Sequence, residues 1–76
     1  MHADETRRVR IVVAGRLADR LEPLFGGLRL MHRTGRTELV GEVVDQAHLH
    51  AVLSRIRDLG LELQRLSVQT TTHRRR

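Results

Sequence analysis

Two spacings of apolar residues alternate along this chain, and their order constrains its fold more than any other feature of the sequence. Where apolar and polar residues alternate one by one, the pattern is typical of a β-strand with one buried face. Where apolar residues recur three or four positions apart, the pattern is typical of an amphipathic helix. The order along the chain is strand, helix, strand, strand, helix and strand, which predicts an α+β domain.

The first half of the chain predicts a strand, a short helix and a second strand. Residues 9–13 alternate and are rich in β-branched side chains, which favours a strand. A helical stripe follows, formed by Leu17, Leu21, Leu24 and Phe25. Pro23 lies inside this stripe, and because proline is tolerated only in the first turn of a helix, we expect this helix to be short, to start late or to kink. Residues 28–33 then alternate again.

The second half of the chain predicts a strand that pairs with the preceding strand in a hairpin, followed by a helix with a clear start and a clear end. Residues 37–44 form the returning strand after a turn that contains Gly35. Asp45 can cap the next helix by accepting hydrogen bonds from its first free N–H groups. The apolar stripe of that helix comprises Leu49, Val52, Leu53, Ile56 and Leu59. Gly60 predicts a left-handed end, after which Leu61 packs back on the last turn.

The last strand and the two chain ends complete the domain organisation. Residues 62–69 lose their alternation midway, between Leu63 and Leu66, which predicts a β-bulge or a late start. We expect residues 1–7 to be a flexible leader, residues 8–69 a single domain, and residues 70–76 a disordered basic tail.

The order β-α-β-β-α-β is that of the split βαβ, or ferredoxin-like, fold. It predicts a four-stranded antiparallel sheet with two helices on one face and with the third strand between the first and the second. A chain of 76 residues without cysteine has a small core and no disulfide to stabilise it. Association with a second copy is therefore expected.

The outer face of this sheet, away from the helices, predicts where that second copy binds, with the two sheets either face to face or edge to edge. Alternation sends Arg8 and Arg10 outward, beside Glu38 and Glu42 of the third strand, so the arginines are expected to be partly neutralised and poor at binding phosphate. Apolar side chains among these ion pairs form a patch typical of protein interfaces. The predicted dimer interface comprises Val12, Met31, Val40, Val44, Leu66 and Val68.

Two histidines one residue apart, His48 and His50, raise the question of a metal site. Positions i and i+2 of a helix lie about 200° apart, so these side chains do not face each other. We expect both to lie on the solvent face of the helix, and we expect no metal and no cofactor.

Charge suggests a second class of function. The formal net charge is +5, and Arg74, Arg75 and Arg76 supply three of the five charges. These arginines could contact phosphates, weakly and with strong salt dependence. The single aromatic residue is Phe25, and no predicted strand carries an aromatic side chain on which a base could stack. Nucleic-acid binding through the tail is therefore the alternative function.

An enzyme is not expected. Ser54 lies four residues after His50, but no acid orients this pair and no oxyanion donors accompany it. The segment Val13-Ala14-Gly15-Arg16 is similar to the strand-end loop of acylphosphatases, yet the chain lacks their second glycine-rich turn and the asparagine that their catalysis requires.

Residues 9–68 resemble the ACT-like group of small regulatory domains in the order of their elements and in the turn Ala14-Gly15-Arg16-Leu17. The segments Gly15-Arg16-Leu17 and Val44–His50 are also similar to short bacterial proteins of unassigned function. The resemblance implies a domain that pairs with a second copy and binds a small ligand, and we expect a homodimer that acts through a protein partner or a small ligand. Because no apolar run is long enough for a membrane span and the first residues do not lead into a signal-peptide core, a cytoplasmic protein is expected. An anionic ligand would bind at Gly15, Arg16 and Asp19, where a strand meets a helix N-terminus.

Overall fold

The structure is a computed structural model that describes residues 6–71. Four strands, one 3₁₀ helix and one α-helix account for most of this range. In chain order they are β1 (Thr6–Ala14), the 3₁₀ helix (Asp19–Phe25), β2 (Arg29–Arg33), β3 (Arg36–Val43), α1 (Gln46–Asp58) and β4 (Leu63–Thr71).

The strands form one open sheet in the order β2-β3-β1-β4, and each neighbouring pair is antiparallel. The predicted α+β class and the four-stranded antiparallel sheet are therefore confirmed. β3 lies between β1 and β2, so β2 and β4 are the two edge strands.

β1 and β4 extend further than the sequence predicted. Thr6 and Arg7 were expected in the flexible leader, but they belong to β1 and pair with Thr71 and Thr70 of β4. The two expected boundaries were wrong here because backbone pairing in a ladder does not require apolar side chains. The rest of the leader and of the tail lies outside the described residues.

The core lies between the sheet and the two helices, which share one face. Its members are Val9, Ile11, Val13, Leu17, Phe25, Leu28, Leu39, Val43, Leu49, Val52 and Ile56. The alternation in the first three strands predicted which of their residues belong to this core. The exception is Leu30, which was expected in the core and is only half-buried. Full burial stabilises a side chain of this size by about 1.5–3 kcal/mol relative to its exposed state.

The first helix is of the 3₁₀ type, with Pro23 inside it. The helix is short and starts late, as expected, since it begins at Asp19 and Leu17 is buried in the loop before it. A 3₁₀ helix has three residues per turn, so the predicted 3.6-residue stripe does not stay on one face. Phe25 consequently enters the core, whereas Leu24 is exposed.

α1 has the predicted ends. The Asp45 carboxylate accepts a hydrogen bond from the N–H of His48 at 2.8 Å. At the other end the N–H of Leu61 donates to the carbonyl of Ile56 at 3.1 Å, and Gly60 has a φ of 72°. These are the bonds of a Schellman motif, so the prediction is confirmed.

The predicted bulge in β4 is confirmed as well. Val12 pairs with Arg65 whereas Val13 pairs with Leu63, which leaves Gln64 as the extra residue. Beyond the bulge Leu66 pairs with Ile11, and directly paired residues project to the same face of a sheet. Leu66 and the other apolar residues of β4 therefore project to the helix side.

Candidate functional site

A strip of apolar side chains on β4 lies on the helix side of the sheet but is not covered by either helix. We call it the β4 strip; it comprises Leu63, Leu66 and Val68. Their exposed fractions are 45%, 39% and 46%. Their direct partners on β1 are the buried core residues Val13, Ile11 and Val9, so the edge of the core is open to solvent at this strand.

The β4 strip continues into a shallow depression beside the end of α1. This depression has a volume of about 280 Å³ and is lined by Leu53, Ile56, Arg57, Leu61 and Leu63. An apolar surface thus runs from the last turns of α1 across to β4. Continuous exposed apolar surface of this kind is characteristic of protein interfaces.

The six residues predicted as a dimer interface do not form one surface. Leu66 and Val68 were expected on the outer face and lie on the helix side, because the extra residue of the bulge shifts their phase. On the outer face Val12 is only 8% exposed, Val40 is half-buried, and Met31 remains exposed. Val44 follows β3 and is also exposed.

The outer face of the sheet carries a cluster of arginines, which we call the arginine face. It comprises Arg8, Arg10, Arg29, Arg33, Arg36 and Arg65, together with Glu38 and Glu42. Arg8 pairs with Glu42 at 3.8 Å. Arg10 and Arg33 approach Glu38 at 3.8 and 3.6 Å. The expected neutralisation is therefore present for these three arginines.

The other half of the arginine face is not neutralised. Within residues 6–71, no carboxylate lies within 4 Å of Arg29, Arg36 or Arg65. Six arginines and two glutamates leave this face with a net charge of +4. The face is therefore more cationic than the sequence suggested.

Glu38 is the unusual member of this face. Its side chain is only 9% exposed, and Oε1 is buried without a hydrogen-bond partner. The arginine nitrogens that approach it do so at 3.6 and 3.8 Å, beyond hydrogen-bonding distance. A buried acceptor of this kind costs free energy until a donor reaches it.

Two depressions lie in line along the arginine face and share Arg10. The larger has a volume of about 430 Å³ and is lined by Arg10, Val12, Arg36, Glu38, Gln64 and Arg65. The smaller, of about 280 Å³, is lined by Arg8, Val9, Arg10, Val40, Ser67 and Gln69. Together they form a groove over β1 and its neighbours, with cationic groups along its length.

The turn proposed as a ligand site is closed by contacts within the chain. The N–H of Gly15 donates to the carbonyl of Gly35 at 2.9 Å. The buried hydroxyl of Thr37 donates to the carbonyl of Gly15 at 2.8 Å and accepts from the N–H of Leu17 at 3.1 Å. Arg16 is exposed beside this network. The amide expected to bind an anion is therefore already engaged.

Asp19, the third residue of that predicted site, is engaged with β2. Its Oδ1 lies 2.7 Å from Nε2 of His32. The hydrogen bond from His32 lowers the pKa of Asp19, and the charges of His32 and Arg16 lower it further. The sequence did not indicate the parts played by Thr37 and His32, because both bind partners 13 or more residues away.

His48 and His50 differ in their surroundings. His50 is exposed on α1, as predicted. The expectation was wrong for His48, which is half-buried and bonded at both ring nitrogens. Its Nε2 lies 2.8 Å from the carbonyl of Gly26, and the N–H of Val44 donates to Nδ1 at 3.2 Å. His48 therefore connects the end of the 3₁₀ helix to the start of α1.

Three further features bear on possible sites. Among residues 6–71, no three His, Asp or Glu side chains lie close enough together to hold a metal ion. The helices of this part of the chain are too short or too polar to cross a lipid bilayer. Arg74, Arg75 and Arg76, the predicted contacts to nucleic acid, lie outside the described residues.

The comparisons with known proteins give one match. A family model described as a domain of unknown function, DUF8691, matches residues 8–67. No curated protein and no solved structure matches the chain. The matched range runs from β1 into β4, so it includes the arginine face and two members of the β4 strip, Leu63 and Leu66, and ends one residue before Val68. The match agrees with the resemblance to proteins of unassigned function.

Proposed function

The chain belongs to the DUF8691 family, and for this member we propose the function of a small non-catalytic module that works as a homodimer joined at β4. The observation that carries the proposal is the β4 strip, which lies on the core side of the sheet but without a helix over it. A second copy is the occupant that we propose for it.

The fold that we propose for this module is ferredoxin-like. The strand order β2-β3-β1-β4 with antiparallel neighbours supports it, since β3 then separates β1 from β2 in a split βαβ unit. The resemblance to ACT-like regulatory domains supports a regulatory role in the cytoplasm of a bacterium. Such domains act through association and binding rather than through chemistry at a nucleophile.

Two features of β4 favour a second copy over an unrelated partner. β4 is an edge strand of nine residues, so one side of its backbone is free to pair with another strand. Antiparallel pairing of β4 with its own copy about a two-fold axis brings each β4 strip beside the other, as an isologous interface requires. The two cores then join into one, which compensates for the small core of a single chain.

The test is the mass of the protein in solution. We expect sedimentation equilibrium at high micromolar concentration to give twice the protomer mass of 8.7 kDa. Leu66→Glu places a charge within the β4 strip, where it would be desolvated in the dimer, and is expected to give the protomer mass. Val68→Lys tests the same surface with the opposite charge, and circular dichroism checks that both variants remain folded.

Val40→Glu is the matched control, because Val40 lies on the outer face near Arg10 and Arg29. We expect this variant to remain a dimer. A wild-type protein that is a monomer at high micromolar concentration would refute the proposed dimer. Dissociation by Val40→Glu but not by Leu66→Glu would instead place the interface on the outer face.

A further inference from the structure

We propose that the arginine face binds the phosphate backbone of single-stranded nucleic acid along the groove centred on Arg10. This goes beyond the proposed dimer, since it concerns the opposite face of the sheet. It also differs from binding through the tail, because the groups involved belong to β1, β2, β3 and β4.

Three arginines of this face carry charge that no carboxylate compensates. Arg29, Arg36 and Arg65 have no carboxylate within ion-pair distance in the described part of the chain, and all three are exposed. Guanidinium groups bind phosphate in a bidentate manner. An exposed, unpaired arginine can release counterions from a phosphate backbone without first breaking an ion pair of its own.

The arginines along the groove are arranged in a row. Arg8 and Arg10 lie two residues apart on β1, a separation of about 6.6 Å. Arg36 pairs with Ala14, so it lies about 20 Å from Arg8 along the strand direction. A row of cationic groups at such intervals matches a chain of regularly spaced phosphates better than it matches one small anion.

The walls of the groove also contain uncharged polar side chains. Gln64, Ser67 and Gln69 of β4 line it together with the arginines. Such side chains commonly bind phosphate and sugar oxygens. Glu38 also lines the larger depression, where Arg10 and Arg33 approach it at 3.8 and 3.6 Å.

These features favour nucleic acid over an acidic protein segment. The groove contains only three apolar residues, and an interface with a folded protein would have a larger apolar centre. The described strands carry no aromatic side chain, so bases cannot stack here. Binding is therefore expected to be weak, salt-dependent and little affected by sequence.

The experiment measures fluorescence anisotropy of a labelled 12-nucleotide mixed-sequence single strand against the full chain at several salt concentrations. Each neutralised phosphate contributes about −0.7 to the slope of log K against log salt, so three free arginines predict a slope of about −2. Arg36→Ala/Arg65→Ala is expected to reduce the slope to about −0.7 and to weaken binding about tenfold at moderate salt. Arg20→Ala/Arg55→Ala removes the same charge from the helices and is expected to change affinity less than twofold.

Three results would overturn the proposal. The first is absence of binding at low salt. The second is loss of binding on deletion of residues 72–76 while Arg36→Ala/Arg65→Ala binds normally, which would assign binding to the tail. The third is competition by a 12-residue polyglutamate peptide as effective as that of the unlabelled strand, which would identify an acidic protein as the partner. None of these results depends on the mass of the protein in solution. Failure of nucleic-acid binding can therefore be distinguished from failure of the proposed dimer.

Discussion

At the scale of single residues, His48 has a structural role that its position in the sequence does not reveal. The N–H of Val44 donates to Nδ1, so Nε2 carries the proton and donates it to the carbonyl of Gly26. The tautomer is thereby fixed, and one ring satisfies two backbone groups 18 residues apart in the chain. His50, two residues further on, makes no such contact within the described residues.

We predict that His48→Ala lowers the free energy of unfolding by about 1–2 kcal/mol, because two backbone groups lose their partners. Urea denaturation followed by circular dichroism measures this change. His50→Ala is the matched control and is expected to alter the free energy of unfolding by less than about 0.5 kcal/mol. Equal effects of the two substitutions would contradict the bridging role of His48.

The contact between Asp19 and His32 predicts that the stability of the folded protein depends on pH. The pKa of Asp19 is lowered from its usual value of 3.8, chiefly by the hydrogen bond from His32. The folded state then binds fewer protons than the unfolded state over the acidic range. The contribution of Asp19 to stability is therefore complete above about pH 4 and is lost as the pH falls through the folded-state pKa.

His32→Ala removes this cause, so the pKa of Asp19 is expected to rise toward its usual value. The carboxyl ¹³C shift of Asp19, titrated by NMR in the wild type and in the variant, measures the change directly. An unchanged midpoint would show that His32 does not determine the ionisation of Asp19.

At the scale of elements, local signals predicted α1 and the β4 bulge, whereas the first helix depended on tertiary contacts. Asp45 and Gly60 delimit α1 through bonds that span three to five residues, which a sequence reading can anticipate. The 3₁₀ helix instead depends on Phe25 entering a core formed by distant strands. The turn before it depends on Thr37, 22 residues from Gly15. No local pattern in the sequence encodes these two pairings.

The junction after the 3₁₀ helix gives a prediction at this scale. Gly26 and Gly27 both have positive φ, 59° and 92°, so alanine is strained at either position. A Cβ on Gly26 would also lie 2.7 Å from Nε2 of His48, whereas a Cβ on Gly27 would meet nothing within 4 Å. We expect Gly26→Ala to destabilise the protein more than Gly27→Ala, by about 1 kcal/mol or more, as measured by urea denaturation. A larger loss for Gly27→Ala would contradict this account of the junction.

At the scale of the whole molecule, the two faces of the sheet have separate properties. The helices cover β1 and β3 but not the helix side of β4, and the arginines occupy the opposite face. Alternation predicted which residues of the first three strands face the helices, although Val12 and Glu38 on the outer face are buried as well. It misplaced Leu66 and Val68, because the position of the extra residue within β4 depends on pairing with β1. How much of the sheet the two helices cover also cannot be predicted from the spacing of apolar residues along the sequence.

The proposed dimer makes stability depend on protein concentration. If folding and association are coupled, each tenfold increase in concentration stabilises the dimer by about 1.4 kcal/mol, and Tm is expected to rise by roughly 3–5 °C for a dimer of two such chains. Differential scanning calorimetry over a hundredfold range of concentration measures the shift. Leu66→Glu is expected to give a Tm that is independent of concentration, since its β4 strip no longer associates. Gln69→Glu adds the same charge to the same strand but on the outer face, so it should retain the wild-type dependence. A wild-type Tm that does not change with concentration would mean that the open edge of the core is tolerated in a monomer.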